Sequence, residues 1–432
     1  MPSPQETRSG PRGIRNLALV LTAQCNLRCS YCYQNAKSAK HMTWETMRPS
    51  LDLVLGSHQR EAEIMFFGGE PFLAFPMMRR AVEYAENNRS EEKSVTYSVA
   101  TNGTLLTDEM LAFLEKHRFK LQLSFDGIDR AQDFRGRKTF EILDRLLDRL
   151  RDERPDFFRW NTAICITVTP ESAVHLPASI DYFLAKDVDS ILITPSLLSY
   201  PSWRAEDIGM LDARFARVFD SSVRYRHATG KIPVMIFRGK FDGAPSGAAE
   251  LNAPRDPREP NVSEERPMCG VVRGLTIAVD VDGEAYACTT VAGSYQDFSS
   301  PFMREGLRGM HLGGIGCDGF VERQESFAEM ARGVEMFNCK EDKYSVYGRC
   351  AECPYFARCS LCPVSIAHVR DSTDPNRVSD FCCAFYRAAL KHRERFPAQR
   401  SPRECVRGPA GASAEMERWK ARAEAMRSVE KA

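Results

Sequence analysis

The sequence predicts an α/β fold: six strand–helix units in succession, forming an open, partial (β/α)6 barrel, followed by a smaller cysteine-rich domain. Three observations carry this. Strand-length apolar runs alternate with amphipathic helical stretches from Leu17 to about Ala228, the pattern of a parallel sheet with helices outside it. Three consecutive strands end in polar residues beside glycine, at Gly68-Gly69-Glu70, Asn102-Gly103 and Asp126-Gly127, and βα barrels collect functional groups at the C-terminal ends of their strands. Cysteines gather at the two ends of the chain, three in 25–32 and eleven between 269 and 405, with Cys165 between them.

The elements follow in order. After a polar stretch, 1–14, Leu17–Leu21 is a first strand. Thr43 has the hydroxyl of an N-cap and opens a helix to about His58. Glu61–Phe67 is a second strand and Pro76–Asn87 a second helix. Val95–Ala100 is a third strand, and Thr107, with Asp108 and Glu109 behind it, caps a helix to about His117. Phe119–Phe125 is a fourth strand. The helix Phe140–Arg151 carries Leu143, Leu146, Leu147 and Leu150 on one face. Ala163–Val168 and Leu176–Ala185 form the fifth unit, and Ser190–Thr194 with a long helix ending near Ala228 the sixth. Residues 236–267 read as a linker. Gly274–Val279 and Glu284–Ala287, joined through Asp282-Gly283, read as a β-hairpin. Residues 396–432 form a tail in which Glu415–Val429 has the charge pattern of a solvated helix.

Bulk properties bound the function. A chain of 432 residues holds two or three domains. With a net charge of +1 there is no polyanion-binding surface to expect, which argues against nucleic acid or membrane partners. No apolar run approaches the ~18–20 residues of a spanning helix. Arg12 and Arg15 before Leu17–Leu21 imitate a lipoprotein signal, but the run is short and Gln24 stands where a small residue should precede the cleaved cysteine. A cytoplasmic protein is expected. Fifteen cysteines, an odd number, without an export signal argue against a disulfide scaffold.

The chemistry starts at Cys25-Asn26-Leu27-Arg28-Cys29-Ser30-Tyr31-Cys32, directly after the first strand. Three thiolates spaced C-x3-C-x2-C suit an iron–sulfur cube and leave one iron without a protein ligand. Zinc is the competing reading, since C-x2-C is a common half-site, but the nearest following histidine is His41. At the second strand's end, Gly68 and Gly69 allow close backbone approach and Glu70 offers a carboxylate to an ammonium group.

Together, C-x3-C-x2-C with Tyr31 before the last cysteine, Gly68-Gly69-Glu70-Pro71 and Thr101-Asn102-Gly103 resemble the radical S-adenosylmethionine (SAM) superfamily over residues 15–235. The resemblance implies a partial TIM-like barrel and a [4Fe-4S] cluster on Cys25, Cys29 and Cys32. It further implies that SAM would chelate the open iron and that an electron would cleave it to methionine and a 5′-deoxyadenosyl radical able to abstract a substrate hydrogen. By position, Gly68, Gly69 and Glu70 match the motif that meets the methionyl ammonium, and Tyr31 the aromatic near the adenine. Ser124 matches a polar SAM contact and Arg135 an arginine near the SAM carboxylate. Asn102 is a looser match.

Residues 268–395 resemble the SPASM extension, which holds two auxiliary [4Fe-4S] clusters. By that resemblance Cys269, Cys288 and Cys362 ligate auxiliary cluster I. Cys350, Cys353 and Cys359 ligate cluster II together with Cys383, which matches the motif's close better than Cys382. Two departures stand out: Cys359 and Cys362 are spaced C-x2-C where the family has C-x3-C, and residues 271–287 contain no cysteine to complete cluster I. Cys317 or Cys339 would supply that ligand, or one iron stays open. Cys350/Cys353 and Cys359/Cys362 have zinc-ribbon spacing within each pair, but the five residues between Cys353 and Cys359 are far fewer than a ribbon uses.

SPASM-type members mostly modify peptides, so the expected substrate is a ribosomally synthesised precursor peptide, oxidised by formation of a cross-link or related bond. The expected partners are an external electron donor of the flavodoxin or ferredoxin type and a separate leader-recognition protein. Anaerobic sulfatase maturases share the architecture, but carry an Asp after the cysteine matching Cys288, where this chain has Thr289. Other outcomes are peptide epimerisation, with Cys165, Cys317 and Cys339 as candidate thiol donors, and chemistry on a small molecule. The non-enzymatic alternative is a zinc-binding scaffold.

Overall fold

The computed structural model describes residues 13–34, 37–198, 200–238, 275–295, 309–320, 323–324, 326, 340–362, 364–367, 369 and 374–396. Cys269, Cys339, Cys405, the expected linker after residue 238 and the helix expected over 415–429 lie outside them.

The six βα units occur in order. They are β1 (Asn16–Val20) with α1 (Trp44–Leu55), β2 (Glu61–Phe67) with α2 (Phe75–Asn88) and β3 (Ser94–Thr101) with α3 (Asp108–Lys116). Then come β4 (Lys120–Ser124) with the single-turn α4 (Asp129–Gln132) and α5 (Phe140–Glu153), and the short α6 (Pro155–Asn161). β5 (Thr162–Val168) with α7 (Leu176–Ala185) and β6 (Ile191–Pro195) with α8 (Ile208–Thr229) complete the series. Beyond them lie β7 (Thr276–Val279), β8 (Glu284–Tyr286), β9 (His311–Gly314), the paired dipeptides β10 (Tyr344–Ser345) and β11 (Gly348–Arg349), α9 (Val364–Ala367) and α10 (Asp380–Arg395). The fold is α/β with parallel strands, as expected, and the strand and helix limits agree to within a few residues. Helix α1 stops at Leu55, short of the expected His58, with Gly56 as its C-cap.

The chain divides into two compact units that alternate along the sequence. The described residues of the first lie within 1–25, 34–99 and 271–334. In it β1 runs parallel to β2, and β2 to β3. All five residues of β1 are buried, as a strand flanked on both edges and covered on both faces requires. The hairpin β7–β8 forms with the expected Asp-Gly turn, Gly283 adopting φ +88°. The sequence did not indicate that β7 also adds to β1 in parallel, from Asn16↔Thr276 to Leu19↔Val279. Thr43 caps α1 by accepting from the Thr46 N–H.

The described residues of the second unit lie within 26–33, 100–270 and 335–432. Strands β4, β5 and β6 pair in parallel. Leu143, Leu146, Leu147 and Leu150 of α5 are buried on the face that their spacing predicts. Helix α10 packs on α8, with the rings of Phe215 and Phe385 edge to face at 5.1 Å and Asp212 accepting from Lys391 at 2.7 Å.

Candidate active site

In the first unit, the end of β2 lies against the start of the cysteine loop. Gly69 donates to the Thr22 carbonyl at 2.8 Å and Glu70 to the Gln24 carbonyl at 2.9 Å. A Cβ on Gly69 would fall 2.3 Å from the Gln24 oxygen and 2.9 Å from the Cys25 Cβ, and one on Gly68 (φ +154°) 2.7 Å from the Thr22 oxygen. The glycine pair thus has a demand from the chain itself: it lets β2 seat the residue that enters the loop. Glu70 is fully buried, and its Oε1 accepts from the Phe72 N–H at 3.1 Å, capping a short 3₁₀ turn.

In the second unit, the rest of the loop is fixed at its non-cysteine residues. Ser30 donates to the Phe134 carbonyl from its N–H at 2.9 Å and from its hydroxyl at 3.2 Å. The Cys32 N–H closes a turn on the Cys29 carbonyl at 3.2 Å. Asn102 donates to Asn26 Oδ1 at 2.8 Å, while its own Oδ1 accepts from the Thr104 N–H at 3.0 Å. Thr104 also accepts from Asn26 at 2.8 Å, so the strand end and the loop share one small polar ring.

Asp126, 2% exposed, is the densest node. Its Oδ1 accepts from Arg135 at 2.8 Å and from the Thr167 N–H at 3.0 Å, and its Oδ2 accepts from the Tyr31 hydroxyl. Gln132 accepts from the Asp126 N–H at 2.9 Å. Burial pushes the Tyr31 phenol far above its usual range, so that hydroxyl stays a donor. Burial would lower the pKa of Arg135, but Asp126 and Tyr31 outweigh it and the guanidinium is charged throughout. Arg135 also lies over the Tyr31 ring, 5.4 Å from its centroid. Its Nε is buried with no hydrogen-bond partner among the described residues. A buried donor left in that state costs free energy, and the carboxylate of a bound ligand would satisfy it. Asp126 was visible in the sequence only as half of an Asp-Gly turn; its partners come from segments remote in the chain.

Ser124 ends β4, half-buried, with Cys165 of β5 as its register neighbour. Cys165 is buried, and burial raises its thiol pKa. In the first unit, Cys288 lies 3.1 Å from the Thr290 hydroxyl, and Cys317 is exposed in the turn after β9. In the second unit Cys362 is half-buried.

Cys350, Cys353, Cys359 and Cys383 line one cavity, with Phe356, Leu361, Val378 and Leu390 among its apolar walls. Cys382 does not line it. Neighbouring positions on α10 face different ways, and the Cys382 thiol, fully enclosed, is directed at the Ser196 carbonyl 3.4 Å away. Burial pushes Cys383 to about 12 and Cys350 to about 11. Thiolates in such a site need positive charge, which a metal centre supplies. Among the described residues no three His, Cys, Asp or Glu side chains close on a point as one metal ion would require. A four-iron cube instead takes each thiolate on a different iron, around its corners. Four cysteines around one cavity fit that group.

The fold and the cysteine loop define a class. The radical SAM superfamily profile matches residues 19–182, and the chain carries a radical SAM domain, which implies SAM and a [4Fe-4S] cluster. Among curated relatives, the cysteine-type anaerobic sulfatase-maturating enzyme of Clostridium perfringens is 29% identical over 176 residues, 38% of this chain and 46% of that protein. The radical SAM cyclopropyl synthase TigE of Paramaledivibacter caminithermalis is 26% identical over 138 residues, 28% of this chain and 29% of that protein. The chain thus spans less than half the length of either relative. A solved structure of tagged anSMEcpe with bound AdoMet, 19% identical, superposes with a TM-score of 0.66 over 94% of this chain and 98% of the other, and shows a shared fold. No helix among the described residues is long and apolar enough to cross a membrane.

Proposed function

We propose that the protein is a radical SAM enzyme that oxidatively modifies a ribosomally synthesised peptide, forming a cross-link or related bond. Cys25, Cys29 and Cys32 would hold the first [4Fe-4S] cluster, and Cys350, Cys353, Cys359 and Cys383 an auxiliary one. Cys269, Cys288 and Cys362 would hold a second auxiliary cluster. When bound, the first cluster and SAM supply the reductive cleavage that yields a 5′-deoxyadenosyl radical.

The chain's own residues prepare the site. The Gly68-Gly69 segment seats Cys25, and Asn102 holds Asn26. Asp126 fixes Tyr31 and Arg135 together, and the unpartnered Nε of Arg135 is offered to the SAM carboxylate. Glu70 supplies acceptor charge toward the methionyl ammonium, and Ser124 a further polar contact. The observation that favours net oxidation is the cavity lined by Cys350, Cys353, Cys359 and Cys383: a site for four thiolates has no part in SAM cleavage itself, but suits acceptance of an electron from an oxidised substrate. An external flavodoxin- or ferredoxin-type donor would deliver the starting electron, and a separate protein would recognise the peptide's leader.

The reading is tested by anaerobic reconstitution, which should give brown protein holding on the order of 8–12 irons, from two or three four-iron clusters. With a strong reductant it should release 5′-deoxyadenosine from SAM, and Cys25→Ala/Cys29→Ala/Cys32→Ala should not. Release by the triple variant overturns the assignment. Co-expression with a short peptide encoded beside the gene, followed by mass spectrometry, separates oxidation (loss of two hydrogens) from epimerisation (no change in mass).

A further inference from the structure

Two side chains reach sulfur directly at the C-terminal cavity. The Arg387 guanidinium donates to the Cys353 Sγ at 3.5 Å, and the Ser345 hydroxyl, on a residue 7% exposed, donates to the Cys383 Sγ at 3.1 Å. Neither donor is free to wander. Ser345 also accepts from the Tyr347 N–H at 3.1 Å. Arg387 stands over the Tyr347 ring, 5.8 Å from its centroid, and the Tyr347 hydroxyl accepts from the Trp203 indole at 2.9 Å. A chain of contacts from Trp203 through Tyr347 to Arg387 therefore ends on one thiol. Lys340 contributes a second cation at the rim, donating to the Cys359 carbonyl at 2.7 Å.

Four thiolates make a [4Fe-4S] site anionic, and reduction adds one more negative charge. Hydrogen bonds to the sulfurs, and positive charge beside them, stabilise the reduced form more than the oxidised one and raise the potential. We propose that Arg387, assisted by Ser345, sets the reduction potential of the cluster held by Cys350, Cys353, Cys359 and Cys383, raising it so that the site accepts electrons; Tyr347 and Trp203 are positioning residues for that arginine. This rests on the reading that these four cysteines hold a cluster.

The test is a redox titration of the reconstituted full-length protein with dithionite and mediators, followed by electron paramagnetic resonance. The electron comes from dithionite, and the Cys25→Ala/Cys29→Ala/Cys32→Ala variant identifies which signals are auxiliary. Arg387→Met should lower one auxiliary midpoint, so that at the wild-type midpoint the reduced-to-oxidised ratio falls about tenfold, or 59 mV for one electron. Ser345→Ala should move the same couple in the same direction by less. Arg387→Lys, which keeps the charge but not the planar fork, should recover part of the shift. Tyr347→Phe should move it slightly, and provides a reading if Arg387→Met loses iron. Full iron with unchanged midpoints in Arg387→Met, or in both Ser345→Ala and Tyr347→Phe if Arg387→Met cannot be loaded, overturns the inference and leaves the cluster assignment standing. A wild-type protein holding only one four-iron cluster overturns both.

Discussion

The cysteine loop at 25–32 and the cysteine cavity around Cys350–Cys383 secure their thiols by different means. The loop is held at Asn26, Ser30 and Tyr31, through partners on strand ends and on the segment carrying Phe134 and Arg135. At the cavity, donors reach sulfur itself, from Ser345 and Arg387. The difference follows the expected work. A cluster that binds a small molecule needs its surroundings shaped for that molecule, and the loop's network ends in an arginine with an unsatisfied buried Nε. A cluster that only exchanges electrons needs its thiolates dressed, because hydrogen bonding at sulfur is a lever on potential.

The contrast can be broken most sharply at α10. Cys383→Ser should remove about four irons, whereas Cys382→Ser, at the neighbouring thiol directed toward Ser196, should keep them; iron analysis with the optical spectrum decides, and equal losses would erase the distinction between the two faces. Next in size is Asp126→Ala. It strands a buried guanidinium, which costs about 3–5 kcal/mol, and it frees Tyr31. The variant should melt lower and release less 5′-deoxyadenosine, while the auxiliary spectrum of whatever protein folds stays unchanged. Gly69→Ala places a Cβ 2.3 Å from the Gln24 oxygen. Backbone must shift, at about 1–3 kcal/mol, and iron at the loop should fall with the auxiliary irons retained. Asn102→Ala removes the partner of Asn26 and should cost about 1–2 kcal/mol, read as a small drop in melting temperature and weaker SAM binding by equilibrium dialysis. Thr43→Ala, at the cap of α1, should cost about 1 kcal/mol with iron content and both sites' spectra unaltered; a spectral change there would show that the loop depends on more than its own contacts.

Much of this was legible in the sequence because it is written in local pattern. The leucine spacing of α5, the Thr43 and Thr107 caps and the Asp-Gly hairpin are short-range signals, and each element formed where it was expected. The site was legible in part. Spacing alone nominated the cysteines and the glycine rims, but not what the glycines approach: Gly69 meets the Gln24–Cys25 backbone, a partner remote from it in the chain. Helix α10 has a readable start, Ser379 accepting from the Cys382 N–H with Asp380 in the first turn, yet it was not among the expected helices. Asp126 looked like turn chemistry because a two-residue signal says nothing about partners at 31, 135 and 167.

The sequence by itself determined the βα order, the cysteine groups and the class of chemistry, since strand and helix periodicity and ligand spacing are properties of neighbours along the chain. Tertiary structure decided which of two adjacent cysteines lines the cavity, which carboxylate joins Tyr31 to Arg135, and which donors meet sulfur. Those depend on the directions in which side chains leave different elements, and only the packing of segments far apart in sequence sets them.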